Sequence, residues 1–241
     1  MKILIIIGLV LCVIHSIKKH SIKKKLMIQS IEKQSIENKI RTVTSLDRGT
    51  PSERDLILTL LDMGIPAKSI FHDVYLKKSN DTYAQIDLVV PTRVGILVFE
   101  VKDYSGWIFG KGGQDRWTQV LSYGEEKYYF YNPVKQNEGH IKELRKKLGE
   151  DVPFFSIIVF YGNSELRDIS FIPKGTFVAK WYRVEEVVSN ILQSNPDAVY
   201  KNKQNVVRVL REAVKNGEDS EIDSKHVGDI REMIGNDRIF D

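Results

Sequence analysis

The sequence predicts an α/β domain with a mixed central sheet flanked by helices, preceded by an N-terminal membrane-anchor helix. Three observations carry this reading. Residues 85–102 hold two Val- and Ile-rich runs around a segment containing Pro91 and Gly95, the pattern of paired, well-buried strands. Residues 154–161 are apolar on both faces, as a central strand requires. The order of helix, strands, helix, strand, strand, helix then fits a layered α/β architecture.

The N-terminal element comes first. Residues 3–17 are apolar apart from Gly8, His15 and Ser16, and five lysines follow between Lys18 and Lys25. Fifteen residues are short of the roughly 20 that span a bilayer, although lysines that snorkel extend the reach. A cleaved leader would carry its charge before the apolar run, whereas here Lys2 stands alone in front. With the positive charge on the C-terminal flank, the expectation is an uncleaved anchor over residues 1–25 with the rest on the cytoplasmic side. Residues 26–47, polar with spaced isoleucines, read as a helical stalk.

The folded domain opens at Gly49-Thr50-Pro51-Ser52-Glu53. Thr50 as N-cap, Pro51 at the first helical position and Glu53 three residues after the cap make a capping box. Gly64 and Pro66 end that helix. Residues 70–77 read as a strand and 77–81 as a polar turn into the 85–102 hairpin. A short strand at 107–109 follows, then a second hairpin from 116–120 and 127–131 turning at Tyr123-Gly124. Its aromatic run is either sheet surface or a surface for stacking bases. Asn132-Pro133 repeats the cap-then-proline start of a helix that runs to Gly149 and places Gln136 and His140 on one face. Beyond the strand at 154–161, a strand at 176–181 and helices at 184–192 and 205–214 complete the α/β domain over 151–218. A charged tail occupies 219–241.

Composition narrows the chemistry. The 241 residues are 42% hydrophobic and 28% charged, enough for one sizeable domain plus extras. Cys12 is the single cysteine, which excludes an internal disulfide and a cysteine zinc site. The net charge of +4 comes from six lysines within residues 1–25; the remainder holds 30 basic residues against 32 acidic, a net of −2. The body is therefore not a broadly basic nucleic-acid binder, and contact with phosphates needs a local patch or a bound cation.

Charges interrupt the 85–102 hairpin where burial makes them costly. Strand alternation puts Glu100 and Lys102 on one face, and folding about Arg93 and Val94 sets Asp87 almost opposite Glu100, roughly 5 Å away at Cβ. Two carboxylates that close repel unless a cation intervenes. A structural ion pair with Lys102 satisfies this spacing. So does the Asp then Glu-x-Lys layout of a PD-D/E-x-K nuclease, in which the carboxylates hold a divalent metal and the lysine handles the attacking water.

Taken together, Gly49-x-x-x-Glu53, Gln85-Ile86-Asp87, Gly95-Ile96, Phe99-Glu100-Val101-Lys102, Gly106, Trp117 and Asn132-Pro133-x-x-Gln136-x-x-x-His140 resemble the nuclease-related domain, NERD. The resemblance covers residues 48–148, and the core it implies spans 48–150. That family is regarded as a branch of the PD-D/E-x-K nucleases, found in bacterial proteins and often beside a membrane anchor. The resemblance implies a restriction-endonuclease-like core in which Asp87 and Glu100 bind Mg²⁺ or Mn²⁺ and Lys102 positions the water. Glu53 would contribute a further acid and Gln136 would complete the site, with His140, Arg116 and Lys135 as contacts to nucleic acid, DNA before RNA. Leu88 departs from the pattern, since family members often carry a polar residue after the aspartate. The expected function is metal-dependent phosphodiester hydrolysis; the alternative is a membrane-tethered module that binds nucleic acid or protein without cutting.

Overall fold

The computed structural model describes residues 2–121 and 124–219, with side chains from residue 18 onward except residue 21. The chain divides after Leu46. The first unit is one long helix, α1 (Lys2–Ile40), which continues the expected stalk without a break. Among the described residues no helix is long and apolar enough to cross a membrane. The apolar run at 3–17, on which the expected anchor rests, lies outside the described side chains, so the anchor has no structural support. The tail from residue 220 and the turn residues 122 and 123 also lie outside the described residues.

The second unit starts with α2 (Pro51–Asp62), capped as expected: the Glu53 amide donates to Thr50 Oγ1 at 3.2 Å. Three antiparallel strands follow, β1 (Phe71–Lys77), β2 (Tyr83–Thr92) and β3 (Gly95–Asp103). Next come β4 (Gly106–Lys111), β5 (Arg116–Leu121) and β6 (Glu126–Tyr131), then α3 (Pro133–Leu148). The chain ends its described part with β7 (Phe154–Tyr161), β8 (Ser164–Ser170), β9 (Thr176–Lys180), α4 (Val184–Ser194) and α5 (Lys203–Asn216).

Where the sequence suggests one central sheet, the strands form two mixed sheets flanked by helices. The first runs β1-β2-β3-β7-β9, with β7 parallel to both β3 and β9; the second runs β6-β5-β4-β8, with β8 parallel to β4. The second sheet arises because Gly106 reverses the chain directly after β3. Its φ is +77°, and a side chain there would meet the Val120 carbonyl at 2.3 Å, so only glycine suits the turn. β8 escapes sequence reading because Ser164, Glu165, Leu166, Arg167 and Asp168 mix polar and apolar residues without a sustained run.

Two apolar clusters hold the layers. One joins the first sheet to α3 and α5 through Val74, Ile86, Val98, Leu144 and Leu210. The other lies between the sheets: Trp117 and Phe160 stack with ring centroids 6.1 Å apart, beside Ile108, Val134 and Ile158. As its continuous apolar run predicts, β7 is buried along its whole length.

Asn132 ties α3 to the second sheet. Its Oδ1 accepts from the Val134 amide at 2.9 Å, while Nδ2 donates to the carbonyls of Lys111, Gly112 and Gln114 at 3.2, 2.9 and 2.7 Å. Asn132→Ala removes a helix cap and takes a donor from the buried Gly112 carbonyl, at a cost of about 2 kcal/mol. Urea denaturation should show it as a lower midpoint; an unchanged midpoint would mean that water replaces all four bonds.

Candidate active site

Asp87 stands outside both ladders of its own strand. The β1–β2 register passes from His72↔Leu88 to Val74↔Ile86, and the β2–β3 register ends at Leu88↔Phe99, one pair short of Asp87 and Glu100. The Asp87 side chain fills the break, with Oδ2 accepting from the Val101 amide at 2.6 Å. The strands thus part where the sequence puts its charges, and the carboxylate takes the hydrogen bond that a ladder carbonyl would otherwise accept.

Glu100 is 2% exposed. Lys102 Nζ donates to its Oε1 at 2.5 Å, from the same face of β3 as alternation predicts. On its other side, His140 Nε2 approaches Oε2 to 3.3 Å, but not along a hydrogen-bonding direction, so both atoms are buried without a hydrogen-bond partner. Burial works to raise the Glu100 pKa, yet the Lys102 ammonium together with His140 outweighs it and holds the carboxyl below its usual range. Lys102 is in turn held above its ordinary value: burial acts to lower it, and the charges of Glu100 and Asp87 prevail. Asp87 fares differently. Burial pushes it well up, and the negative charges of Glu100 and Glu53 push it further, against the weaker pull of Lys102 and the Val101 amide.

Glu53 reaches this cluster from α2. Thr50 Oγ1 donates to its Oε1 at 2.8 Å, and Oε2 lies 2.9 Å from His72 Nε2 on β1. Burial acts to raise its pKa, but His72 and Thr50 together bring it below the usual value. The backbone leaves room for this pair only through Gly49, at φ +66°: a Cβ there would lie 2.4 Å from His72 Nε2 and 2.5 Å from Glu53 Oε2. Gly49→Ala is therefore expected to destabilise the domain by about 2 kcal/mol or more, from steric displacement and left-handed backbone strain combined. Thermal unfolding checks this; an unshifted midpoint would show that the pair does not pack on Gly49.

The residues expected from the sequence fall into two groups. Asp87, Glu100, Lys102, Glu53 and His140 come together. His140 faces Glu100 with a side chain only 12% exposed, within the carboxylate cluster. Gln136 is half-buried one helical turn before His140 on α3. The other two belong elsewhere: Lys135 pairs with Asp115 at 2.6 Å, and Arg116 lies on β5 opposite Tyr131.

Sequence reading missed His72 and the supports behind the site. Arg48 Nε and Gln85 Nε2 both donate to Asp73, each at 2.8 Å, which holds that residue at φ +55° beside the break in the β1–β2 ladder. Asn137 Nδ2 donates to the Val98 carbonyl and to Ser156 Oγ, each at 2.9 Å, fastening α3 to β3 and β7. One signal for His72 was available: a histidine beside an aspartate within an apolar strand run, next to a helix start carrying Glu53.

The donor set can be weighed against a metal. Two oxygen-bearing carboxylates, one with an orphaned buried oxygen and the other burdened by excess negative charge, suit a hard divalent cation. Among the described residues no group of three or more His, Cys, Asp or Glu is gathered closely enough to hold a metal, so water would supply the remaining ligands.

A protein of Bacillus anthracis described only as uncharacterized is 28% identical over 160 residues, covering 66% of this chain and 72% of that one. No solved structure matches. The family model of the nuclease-related domain matches residues 48–161, which run from Arg48 through the carboxylates, Lys102 and His140 to the end of β7. Over those residues, somewhat under half of its length, the chain is similar to the nuclease-related domain, NERD, a match consistent with a place in the PD-D/E-x-K nuclease superfamily.

Proposed function

We propose that this protein hydrolyses phosphodiester bonds of nucleic acid, DNA before RNA, with Mg²⁺ or Mn²⁺ held by Asp87 and Glu100. The observation that carries the reading is the break in the sheet at Asp87, which sets a half-buried carboxylate beside Glu100 and Lys102, where the negative charges of Glu100 and Glu53 oppose its own, a cost that a purely structural ion pair would not require. A bound cation would lower the pKa of a coordinated water and stabilise charge developing on the phosphate.

The protein's own groups then have distinct work. Lys102, protonated beside Glu100, donates hydrogen bonds to the water or to a phosphate oxygen rather than removing a proton as a free amine. His140, 3.3 Å from Glu100 Oε2, favours its charged form, and Gln136, one turn away, would hold the water or the scissile phosphate. Glu53, fixed by His72, sets the negative charge next to Asp87. Arg116 and Lys135 serve as outlying phosphate contacts. The apolar run at 3–17 with its lysine flank supports attachment to a membrane with the domain on the cytoplasmic side.

The test is cleavage of single- and double-stranded DNA and RNA by the full-length chain with Mg²⁺, Mn²⁺ or EDTA. Cleavage that requires the metal supports the proposal. Salt-sensitive binding without cleavage, unaffected by EDTA, would replace it with the non-catalytic binding module.

A further inference from the structure

The β5–β6 hairpin carries a surface of which the proposed hydrolytic function uses only Arg116. The two strands pair Arg116↔Tyr131, Thr118↔Tyr129 and Val120↔Lys127, and alternation places these six residues on one face. On the opposite face Trp117 and Phe130 pack into the cluster between the sheets, and Tyr128, 51% exposed, donates its hydroxyl to Glu126 at 2.9 Å. Of these six, Val120 is buried, and the others bring two cations, Arg116 and Lys127, to the face of a body whose net charge is −2. Tyr129 and Tyr131 are 66% and 56% exposed. On β4, Trp107 pairs with Val120 and Phe109 with Thr118, which continues the aromatic face into the sheet. Arg167 lies over the Trp107 ring, 5.0 Å from its centre, and is balanced by Glu165.

From this face we infer a binding platform for single-stranded nucleic acid, with bases stacked on Tyr129 and Tyr131 and phosphates met by Lys127 and Arg116. Exposed tyrosines flanked by cations are what an unpaired strand needs, because a duplex offers its phosphates but not its base faces. Two residues along a strand span about 6.8 Å, twice the rise of about 3.4 Å per nucleotide in a stacked strand. The two rings thus take alternate bases of a stacked strand, or successive bases of a stretched one. Behind the platform, on the other face of the hairpin, Phe130 packs on Tyr104 at 4.7 Å, and Tyr104 follows Lys102 by two residues. The inference deepens the proposed function by naming a single-stranded segment as the part of the substrate gripped, and it rests on that reading for the identity of the polymer.

The experiment measures fluorescence anisotropy of labelled oligothymidylate, oligouridylate and a DNA duplex of equal length. The full-length chain is used in EDTA, so that binding is read without cleavage. The proteins compared are wild type, the double variant Tyr129→Leu/Tyr131→Leu and the double variant Tyr129→Phe/Tyr131→Phe, each first matched for melting temperature. The leucine pair is expected to weaken single-strand binding by about 30-fold or more, while the phenylalanine pair stays within about twofold and duplex binding is unchanged. Equal loss on duplex and single strand, or no loss with leucine, would overturn the platform. So would a self-association, seen by sedimentation, that the leucine pair abolishes with oligonucleotide binding intact. Metal-dependent cleavage with undiminished single-strand affinity in the leucine pair would sink the platform and leave the nuclease standing. Tyrosine-dependent binding by a wild-type chain that never cleaves would do the reverse.

Discussion

Glu100→Gln is expected to lower metal-dependent cleavage by about 10³-fold while the domain stays folded. The side chain keeps its shape, and its amide oxygen still accepts from Lys102, the bond that spans 2.5 Å in the native protein. What disappears is the negative charge that helps to hold a cation and the counter-charge nearest Lys102. Lys102 is not left isolated, because Asp87 also acts on it. The contrast is Lys102→Met, which strands two neighbouring carboxylates without a cation and should cost both activity and stability. Assays of cleavage alongside urea denaturation separate the two. Glu100→Gln protein that unfolds early, or that cleaves at more than a tenth of the native rate, would remove Glu100 from its assigned role.

Much of this arrangement was legible in the sequence because it rests on short-range rules. Thr50-Pro51 and Asn132-Pro133 start helices by caps that depend on a few neighbouring residues, and the alternation of Glu100 and Lys102 is a property of any strand. The parts that escaped depend on distant partners. Nothing near Asp73 in the chain announces that Arg48 and Gln85 will hold it in a left-handed conformation. The pairing of His72 with Glu53 joins residues 19 apart. The division into two sheets likewise turns on Gly106 and on β8, a strand whose residues carry no clear period. The opposition of Asp87 and Glu100 was foreseen; the parting of the strands there was not, because it follows from the Asp87 side chain capturing the Val101 amide.

That capture makes Asp87 the place where function and stability pull apart, and Asp87→Asn should show both. A carboxyl whose pKa is higher in the folded chain than in the unfolded one contributes fully to stability below its unfolded value of about 3.9. The contribution is then lost as pH rises through the folded pKa. Asp87 is such a group: burial, Glu100 and Glu53 all oppose its charge, against Lys102 and the Val101 amide. Glu53 and Glu100 run the other way, stabilising above their unfolded values and losing that as pH falls through their lowered folded pKa values. Asparagine keeps an oxygen for the Val101 amide and removes the charge, so metal-free Asp87→Asn should melt about 2–4 °C above the native protein at mildly alkaline pH. The gap should shrink on acidification as native Asp87 takes up its proton. Mg²⁺ should raise the melting temperature of the native protein and not of the variant, since a cation relieves the same repulsion and loses a ligand with the charge. Cleavage should fall by about 10³-fold in the variant that is the more stable. A variant that melts below the native protein at every pH would mean that the Asp87 charge is paired rather than repelled. An equal response to Mg²⁺ in both would take Asp87 out of the metal site.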